Sequence, residues 1–474
     1  MTEQPAPAGP HPGQPGAPGQ LAQSIPAAAR PAAQAGRPGQ DQQEHRQPEQ
    51  PAAAGSRRPR VVLGVAGGIA AYKAAEVLRR LTETGHDVRV VPTPAALRFV
   101  GEVTWAALSG NPVTTDVWDD ADEVAHVRIG READLVLVVP ATADLMARAA
   151  TGRADDLLTG TLLTATCPVI FAPAMHTEMW EHPATRANVA TLRERGAIVL
   201  EPAVGRLTGP DSGPGRLPEP AEIAAVARAV LALGPKAARP DLAGRHVLVT
   251  AGGTREYLDP VRFLGNASSG RQGYALARAA VARGAQVTVV AANVALPEVA
   301  GARTIRVVSA ADLRSAVHEV APGADIVIMA AAVADFRPET QHEYKIKKDA
   351  GEVPAISLAR NPDVLSELVA NRRPGQVLVG FAAETGGPDA DVLELARAKL
   401  ARKPVDLLVV NRVGAGLAFE VEHNQAVVLD RDGGAFEIPL SSKDIVAHHV
   451  LDRVVDHLGR LNSRQAGVPL GAHR

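Results

Sequence analysis

Short runs of apolar residues alternate with longer amphipathic stretches over most of this chain. In the first half, five runs have the length and composition of buried strands, and each is followed by apolar positions at helical spacing. These strand candidates are Val61–Val65, Asp87–Val91, Leu135–Val139, Pro168–Ala172 and Ala197–Leu200. Strands separated by helices predict a parallel sheet that is covered on both faces.

Ligands of such sheets bind at the carboxyl ends of the strands, so the loops that follow the strands are the candidate site. The four loops of interest are Ala66–Ala70, Pro92–Pro94, Pro140–Leu145 and Pro173–Trp180. A closing helix over Pro218–Leu233 ends this half, and Glu222, Ala225 and Arg228 are expected to share its polar side.

The second half repeats the alternation of strands and helices. Val247–Thr250 and Ala324–Ala334 are predicted to be buried strands, and helical spacing begins at Gly270. Alternation within Ala418–Leu440 predicts a hairpin, and Ser441–Leu461 predicts an amphipathic closing helix. The predicted fold class is therefore α/β, with two doubly wound parallel-sheet domains.

Composition marks the boundaries of these domains. Residues 1–59 are rich in Pro, Ala, Gly and Gln and lack apolar periodicity, so we predict a disordered tail. The first domain spans residues 60–233, a linker with Gly and Pro spans 234–240, and the second domain spans 241–463. Residues 464–474 carry no pattern and are expected to fray.

Charge and cysteine content narrow the class of function. The chain has 50 basic and 52 acidic residues, and its net charge of −2 gives no electrostatic reason to expect nucleic acid or a membrane as partner. The single cysteine, Cys167, excludes an intramolecular disulfide and suits a reducing cytoplasm. No apolar run approaches the length that spans a bilayer. We therefore expect a cytoplasmic protein that acts on small molecules.

The strand Val247–Thr250 is followed by a glycine turn and a helix N-terminus, an arrangement that is typical of anion-binding sites. Gly252 and Gly253 allow a tight turn, and Ser268-Ser269-Gly270 then precedes a helix whose first N–H groups are free. A plain helix N-cap is an equal alternative for the two serines. The glycine spacing does not match G-x-G-x-x-G, which argues against an NAD(P) oxidoreductase.

Four further motifs follow this turn in the sequence. They are Asp335-Phe336-Arg337-Pro338, Tyr344-Lys345-Ile346-Lys347-Lys348, Arg360-Asn361-Pro362-Asp363 and Gly380-Phe381-Ala382-Ala383-Glu384-Thr385. In this order they resemble the phosphopantothenate–cysteine ligase half of the bifunctional coenzyme A biosynthesis flavoproteins. The resemblance runs from about Asp241 to the C-terminal helix.

This resemblance implies a Rossmann-like ligase domain that uses CTP and Mg²⁺. The family converts the carboxylate of 4′-phosphopantothenate to an acyl-cytidylate, which cysteine then attacks. The positions that match the family's binding and catalytic residues are Asn266, Met329, Ala330, Ala331, Asp335, Lys345, Asn361, Pro362, Asp363, Phe381, Lys399 and Lys403. The three lysines would bind the nucleotide, and Asn266 would handle the acyl-cytidylate.

Several of these positions have a structural alternative. Lys347 and Lys348 are equally compatible with a solvated surface, and Asp335 with a capping role. Glu384 suits either an indirect contact to Mg²⁺ or a structural carboxylate. The Mg²⁺ ligands are therefore unassigned.

The first half carries a resemblance of its own. Pro140–Leu145 and Pro173–Trp180, with Gly67-Gly68 upstream, resemble the signature loops of the flavin-dependent cysteine decarboxylases. This resemblance covers roughly residues 60–235 and implies a flavodoxin-like domain that binds FMN. The expected FMN contacts are Gly67, Gly68, Thr93, Ala141, Thr142 and Met175.

Two histidines match catalytic positions of the decarboxylases. His126 stands before the helix turn that leads into Ala133-Asp134-Leu135-Val136, where the family has its essential histidine. In the family this histidine assists while FMN oxidises the cysteinyl side chain, and the resulting thioaldehyde loses CO₂ readily. His176 replaces the family's usual asparagine, whose contact with the substrate carboxylate an imidazole can also make.

The chain also departs from the family in its flap, which is expected at Gly205–Arg216. Many members carry there a cysteine that donates the last proton, and this flap has none. The donor is therefore unassigned among Asp211, Thr208 and water, and Cys167 is expected to be structural.

Taken together, the motifs predict a bifunctional enzyme of coenzyme A biosynthesis, in which fusion raises the local concentration of the intermediate. Family members form decarboxylase trimers and ligase dimers that build a dodecamer, so a homo-oligomer is expected. The alternatives are a ligase with an impaired decarboxylase domain and a flavin-binding regulatory protein.

Overall fold

The computed structural model is built on two large sheets, each with helices packed on both faces. The residues that it describes are 57–113, 124–207, 211–347, 355–384, 392–412 and 423–465. Residues 1–56 of the tail predicted over 1–59 lie outside these ranges, as do residues 466–474 of the frayed end predicted over 464–474. None of the helices in the described ranges is long and apolar enough to cross a membrane.

The first half begins with a five-stranded sheet. Its strands are β1 (Arg60–Val65), β2 (Asp87–Pro92), β3 (Leu135–Ala141), β4 (Val169–Pro173) and β5 (Ile198–Val199). Their order is β2-β1-β3-β4-β5 with every pair parallel, which is the flavodoxin order. All five predicted strands are confirmed.

Helices and one hairpin complete this half. The helices are α1 (Ala71–Glu83), α2 (Glu102–Ser109), α3 (Ala125–Glu132), α4 (Ala143–Thr151), α5 (Leu157–Thr164), α6 (Thr177–Glu181), α7 (Pro183–Glu194) and α8 (Pro220–Leu233). The antiparallel hairpin is β6 (Ala203–Arg206) and β7 (Ser212–Arg216). The predicted flap thus forms a hairpin, although residues 208–210, including Thr208, are outside the described ranges.

The apolar runs explain why this sheet is buried on both sides. Successive side chains of a strand point to opposite faces. In β3, Leu135 and Leu137 enter the core on one face, whereas Val136 and Val138 enter the core on the other. All four are fully buried. A continuous apolar run is therefore what this central strand requires.

The second half is built on an eight-stranded sheet and two short strand pairs. The strands are β8 (His246–Gly252), β9 (Arg255–Tyr257), β10 (Phe263–Gly265), β11 (Gln286–Ala292), β12 (Ala302–Val307), β13 (Ile326–Met329), β14 (Phe336–Pro338), β15 (Leu358–Arg360), β16 (Val377–Glu384), β17 (Leu407–Arg412), β18 (His423–Asp430) and β19 (Ala435–Ser442). The helices are α9 (Arg271–Ala282), α10 (Ala310–Val320), α11 (Val364–Asn371), α12 (Val392–Arg402) and α13 (Lys443–Gln465).

The sheet order is β12-β11-β8-β13-β16-β17-β18-β19. Pairs from β12 to β17 are parallel in the Rossmann order, while β18 and β19 add in antiparallel fashion. The predicted hairpin is confirmed and extends this sheet, so the sheet is mixed at one edge. Helix α13 runs to Gln465, past the predicted start of the frayed end.

Two predicted segments differ in detail. The strand predicted over Ala324–Ala334 ends at Met329, because the backbone that follows bonds to other partners. The long polar loop between β8 and α9 contains the antiparallel pair of β9 and β10.

A buried arginine joins three segments of the second half. Arg283 is 2% exposed and donates hydrogen bonds to both carboxylate oxygens of Asp241 (2.8 and 2.7 Å) and to Asp452 on α13 (2.8 Å). Breaking such a buried pair leaves an uncompensated charge, which costs about 3–5 kcal/mol. These bonds hold the end of α9, the start of this half and the closing helix together.

Helix α8 packs against α9 and α13 of the second half, and this changes the environment of Glu222. Its Oε1 accepts a hydrogen bond from the Ala300 N–H (3.2 Å), and Ala225 is also buried. Burial raises the pKa of Glu222 to about 7, partly offset by Arg278 and by that N–H. The predicted polar side is therefore wrong for Glu222 and Ala225, because periodicity shows which positions share a face but not what covers them.

The predicted linker, residues 234–240, has structure of its own. It contains a 3₁₀ turn over Pro235–Ala238. Ala237 and Ala238 are buried and belong to the core of the first sheet.

We expect Glu222→Gln to stabilise the protein at pH 8 and to have little effect at pH 5. Below the unfolded-state pKa, near 4.5, this carboxyl is protonated in both states and does not lower the stability of the folded protein. As the pH rises through the folded-state pKa, about 7, that stability is lost, because the buried group must then carry a charge. Glutamine avoids this loss. The difference between a pKa of 4.5 and one of about 7 corresponds to about 3 kcal/mol at pH 8. The melting temperature at pH 8 should therefore rise by roughly 6–12 °C, since each kcal/mol shifts it by about 2–4 °C in a domain of this size.

Glu194→Gln is the matched control, because Glu194 lies on the exposed surface of α7. An equal gain in both variants, or a gain in Glu222→Gln that is larger at pH 5, would contradict the assignment.

Candidate active sites

Hydrogen bonds join the loops that follow neighbouring strands of the first sheet. The Ala66 N–H donates to the Pro140 carbonyl (3.2 Å), the Thr93 N–H to Val65 (2.9 Å) and the Ala174 N–H to Ala141 (3.1 Å). The ends of β1, β2, β3 and β4 therefore form one continuous edge. This edge brings together the residues predicted to bind FMN, which are Gly67, Gly68, Thr93, Ala141, Thr142 and Met175.

Small residues let the loops at this edge approach one another closely. A Cβ on Gly68 would lie 3.5 Å from Thr142 Cγ2, and a Cβ on Gly67 would clash with Ala95. Thr142 Oγ1 accepts a hydrogen bond from the Leu145 N–H (3.3 Å) at the start of α4, and Thr93 Oγ1 accepts one from Ala96 (3.2 Å). Both hydroxyls keep a proton to donate, so the set suits a phosphate-bearing ring cofactor.

His126 lies at the start of α3, which returns towards β3 and so begins at the same edge. Its backbone carbonyl accepts a hydrogen bond from Thr164 Oγ1 (2.7 Å), and its ring packs beside Gly160. Its Nδ1 is buried and has no hydrogen-bond partner among the described residues. A buried polar atom of this kind needs a partner, and a bound ligand can supply it.

The β6–β7 hairpin contacts the loop after β4 directly. The Met175 N–H donates to the Gly215 carbonyl (2.9 Å), and a Cβ on Gly215 would lie only 2.3 Å from the Met175 carbonyl oxygen. A Cβ on Gly213 would lie equally close to the hydroxyl of Thr177, which is buried without a partner in the described part of the chain. Glycine at these positions lets the hairpin close on the loop.

His176 and Cys167 occupy different environments. His176 is exposed between β4 and α6, next to the residues that contact the hairpin. Cys167 is half-buried before β4, and burial raises the pKa of its thiol. The exposed Asp211 lies on the hairpin.

In the second half, threonine hydroxyls fix the backbone that follows β13. Thr250 Oγ1 accepts a hydrogen bond from the Ala331 N–H (3.0 Å), and Thr254 Oγ1 accepts one from Ala334 (3.0 Å). The Ala332 N–H donates to the Gly252 carbonyl (2.8 Å). Neither threonine is among the site residues predicted from the sequence, although a hydroxyl in an apolar strand is a signal that a buried polar partner exists.

Two predicted site residues then bind this same backbone. The side-chain amide of Asn266 donates to the Val333 carbonyl (3.2 Å), and that of Asn361 donates to Ala334 (2.9 Å). The Asn361 N–H also donates to the Asp335 carbonyl (2.9 Å). Asn266, Asp335 and Asn361 are thus brought together, with the carboxylate of Asp335 exposed. Arg337, which the sequence analysis did not select, donates to Asn361 Oδ1 (3.1 Å).

The turn after β8 lies against the start of α9. Gly252 has a φ of +88°, and a Cβ there would lie 2.0 Å from the Ala292 carbonyl oxygen. Gly270 precedes the helix without any side-chain cap, so neither serine serves as the N-cap. The N-cap alternative is therefore not what the structure shows, and the first N–H groups of α9 have no side-chain cap.

The predicted lysines fall into two groups. Lys403 Nζ lies 2.5 Å from Asp363 Oδ2, and Lys399 precedes it by one turn at the end of α12. Burial alone would raise the pKa of Asp363, but the Lys403 ammonium and the Ser366 N–H hold that pKa below its usual value.

Lys345 belongs to a different loop. It is exposed beside Ile346, whose N–H donates to Asp259 Oδ2 (3.2 Å). Lys347 is also exposed, and Lys348 lies outside the described residues.

The remaining predicted residues line the same edge of the second sheet. Pro362 is exposed, and Ala330 and Ala331 are partly buried after β13. Met329 packs into the core beneath α10, whereas Phe381 packs against the core beneath α9, on the opposite face.

The structure assigns no metal ligands. Within the described ranges, no three His, Cys, Asp or Glu side chains come together to hold a metal ion. Glu384 ends β16, and its side chain is not among those that the structure describes.

Two family models match different parts of the chain. The flavoprotein family matches residues 50–232, and the DNA/pantothenate metabolism flavoprotein C-terminal domain matches residues 242–458. The coenzyme A biosynthesis bifunctional protein CoaBC of Mycolicibacterium smegmatis is 60% identical over 409 residues, covering 85% of this chain and 99% of that protein. The Bacillus subtilis protein of the same name is 43% identical over 398 residues, covering 83% and 96%.

Solved structures also resemble each half. The C-terminal domain of a coenzyme A biosynthesis bifunctional protein CoaBC is 37% identical, with a TM-score of 0.40, and covers 47% of this chain and 99% of its own. The FMN-dependent cysteine decarboxylase SpaF is 37% identical, with a TM-score of 0.30, and covers 33% and 89%.

We expect Thr254→Val to loosen the backbone after β13. The substitution leaves the buried Ala334 N–H without its acceptor, which costs about 1–3 kcal/mol. Hydrogen–deuterium exchange should therefore rise in peptides that cover residues 329–336. Thr340→Val, at an exposed position, is the control and should leave exchange unchanged. Equal exchange in Thr254→Val and the unsubstituted protein would contradict the role of this hydroxyl.

Proposed function

The chain belongs to the CoaBC family of coenzyme A biosynthesis bifunctional proteins, and from this premise we propose how its two sites divide the reactions. It is a bifunctional enzyme that ligates cysteine to 4′-phosphopantothenate and decarboxylates the product. In our proposal, the edge of the second sheet performs the ligation with CTP, and the edge of the first sheet performs the decarboxylation with FMN. The main observation that supports this division is that the two large sheets are separate, so the carboxyl ends of their strands form two different edges.

Ligation requires a carboxylate to become an electrophile. A carboxylate oxygen of 4′-phosphopantothenate attacks the α-phosphorus of CTP, the bond to pyrophosphate breaks, and an acyl-cytidylate forms. The cysteine amine then attacks the acyl carbon, and CMP leaves with the bonding electron pair. The amine loses a proton to the surroundings as the amide forms. Each step leaves negative charge on a departing phosphate group, pyrophosphate in the first and CMP in the second, so both depend on cations and N–H donors that neutralise it.

Residues at the second edge suit this chemistry. Lys345, Lys399 and Lys403 would neutralise the triphosphate together with Mg²⁺, and the uncapped start of α9 offers further N–H donors. Asn266 donates one amide proton to Val333, which fixes its side chain and leaves its carbonyl oxygen and second proton for the acyl-cytidylate. Asp335 and the backbone of Met329–Ala331 would contact the nucleoside.

The first edge suits FMN. Gly67, Gly68, Thr93, Ala141, Thr142 and Met175 would hold the cofactor, which when bound supplies two-electron oxidation and reduction of the substrate. The Nδ1 of His126, which has no hydrogen-bond partner among the described residues, would hold a proton beside the substrate. His176, exposed next to the hairpin, would donate a hydrogen bond to the substrate carboxylate.

We also propose a cytoplasmic homo-oligomer. The single cysteine supports a reducing compartment. The large apolar side chains of Phe263, Phe336 and Leu358 are exposed on the short strand pairs of the second half, which supports a partner subunit at that surface.

We expect Lys345→Gln to lower CTP-dependent ligation by at least about 100-fold, because a preorganised charge at the triphosphate is lost. Decarboxylation of supplied 4′-phosphopantothenoylcysteine should be unchanged. Lys347→Gln, two residues along the same exposed loop, should leave both rates close to those of the unsubstituted enzyme. Loss of both activities in Lys345→Gln would contradict the division into two sites, and equal losses in the two variants would contradict a specific role for Lys345.

We expect the reverse result for His126→Asn. Loss of a general acid–base residue lowers a rate by about 10²–10⁴-fold, so 4′-phosphopantothenoylcysteine should accumulate in place of 4′-phosphopantetheine. The measurement is mass spectrometry of products from 4′-phosphopantothenate, cysteine, CTP and Mg²⁺. If the unsubstituted enzyme itself stops at 4′-phosphopantothenoylcysteine, the hairpin without cysteine does not support decarboxylation. If it converts nothing, the proposal fails.

A further inference from the structure

A cavity of about 930 Å³ lies between the two halves of the folded chain. The first half contributes the segment between α7 and β5, part of α8 and the residues that connect the halves. The second half contributes the end of α9 and the residues that precede β12. None of the residues that we propose for ligation or decarboxylation lines this cavity. It is therefore separate from both active sites.

Most of the cavity wall is apolar. Val199, Val226, Val281, Ala282 and Ala285 contribute aliphatic surface from both halves. A cavity of several hundred Å³ with an apolar wall and a few polar groups has the character of a small-molecule site. This wall can accommodate a hydrocarbon or aromatic body.

The charged groups of the wall favour an anion. Its basic side chains are Arg193, Lys236, Arg239 and Arg278, against the two acidic side chains of Glu201 and Glu222. Arg193 is paired with Glu201 (2.7 Å), and Arg278 with Asp444 (2.6 Å). Lys236 and Arg239 also line the cavity and are exposed on the connecting segment. The excess of positive charge attracts and retains an anionic group.

Two polar side chains in the wall differ in how far their hydrogen bonds are satisfied. Arg278 Nε is buried without a hydrogen-bond partner in the described part of the chain. Glu222 receives its hydrogen bond from the Ala300 N–H at 3.2 Å through Oε1, and its other oxygen lies 3.5 Å from that nitrogen. The charged groups that act on Glu222 are Arg278 on α9, Asp444 on α13 and Glu219 at the start of its own helix. The Arg278 Nε, which lacks such a partner among the described residues, marks a place where a ligand can gain a hydrogen bond.

From this geometry we propose that the cavity is a binding site for a small amphipathic anion. Its apolar body would lie against the valine and alanine wall, and its anionic group would face Lys236, Arg239 and Arg278. Because the wall comes from both halves, a bound anion stabilises their present arrangement relative to any other.

The test uses the full-length protein with excess FMN and CTP, so that both proposed active sites are filled. The probe is 8-anilinonaphthalene-1-sulfonate, which combines an aromatic body with one negative charge, and isothermal titration calorimetry measures its binding. One saturable site is expected. N-phenyl-1-naphthylamine has the same rings without the sulfonate and should bind at least tenfold more weakly.

Two variants separate the apolar and the charged contributions. Ala282→Trp places an indole in the cavity and should abolish binding of the sulfonate probe. The double variant Lys236→Glu and Arg239→Glu reverses the charge at exposed positions that do not support the core, and it should weaken binding at least tenfold. Arg303→Glu, a charge reversal at an exposed position on β12 that does not line the cavity, is the matched control and should bind as the unsubstituted protein does.

The proposal is overturned if the probe shows no saturable binding, or if neither the Ala282→Trp protein nor the double variant binds it differently. It is also overturned if the uncharged probe binds as tightly as the sulfonate, because the site would then not select an anion. Since the readout is binding with the active sites filled, a failure here is distinct from a failure of the proposed ligase and decarboxylase roles.

Discussion

Parallel strands cannot be joined by tight turns, so the chain must cross back over the sheet after each strand, and the crossing helices cover both faces. This constraint shapes both halves of the molecule. It explains why Leu135–Val139 is apolar at every position, since its side chains enter cores on both sides of the sheet. It also places the end of every parallel strand at one edge, which is where the residues of each site collect.

At these edges the backbone leaves the strand ladder, and its N–H and carbonyl groups need other partners. In the second half, Thr250, Thr254 and Asn361 supply them through side chains. In the first half, neighbouring loops bond to one another, as Ala174 does to Ala141. The supporting backbone is thereby fixed, while reactive groups such as the Asp335 carboxylate extend from it into solvent. Preorganisation of this kind lowers the reorganisation that binding and catalysis require.

The sequence predicted best what depends on local pattern. Apolar runs located all five strands of the first sheet, and the motifs located Asn266 and Asn361, which the fold brings to one stretch of backbone. It predicted less well what depends on distant packing. Nothing in the periodicity of α8 indicates that Ala300 will contact Glu222. Nothing in the run Ala324–Ala334 indicates that its second part will leave the strand and hydrogen-bond to the side chain of Thr250. A pattern along one segment does not report the partners that other segments provide.

The buried 3₁₀ turn Pro235–Ala238 limits where the gene can be divided into two separately expressed fragments. Ala237 and Ala238 are packed in the core of the first sheet, although they follow its last helix. A polypeptide that stops at Leu233 would therefore lack part of its own interior and expose the apolar surface that these two alanines cover. A first-half fragment made for separate expression should extend through Ala238, and the second-half fragment should keep Asp241, without which Arg283 would lose a carboxylate partner.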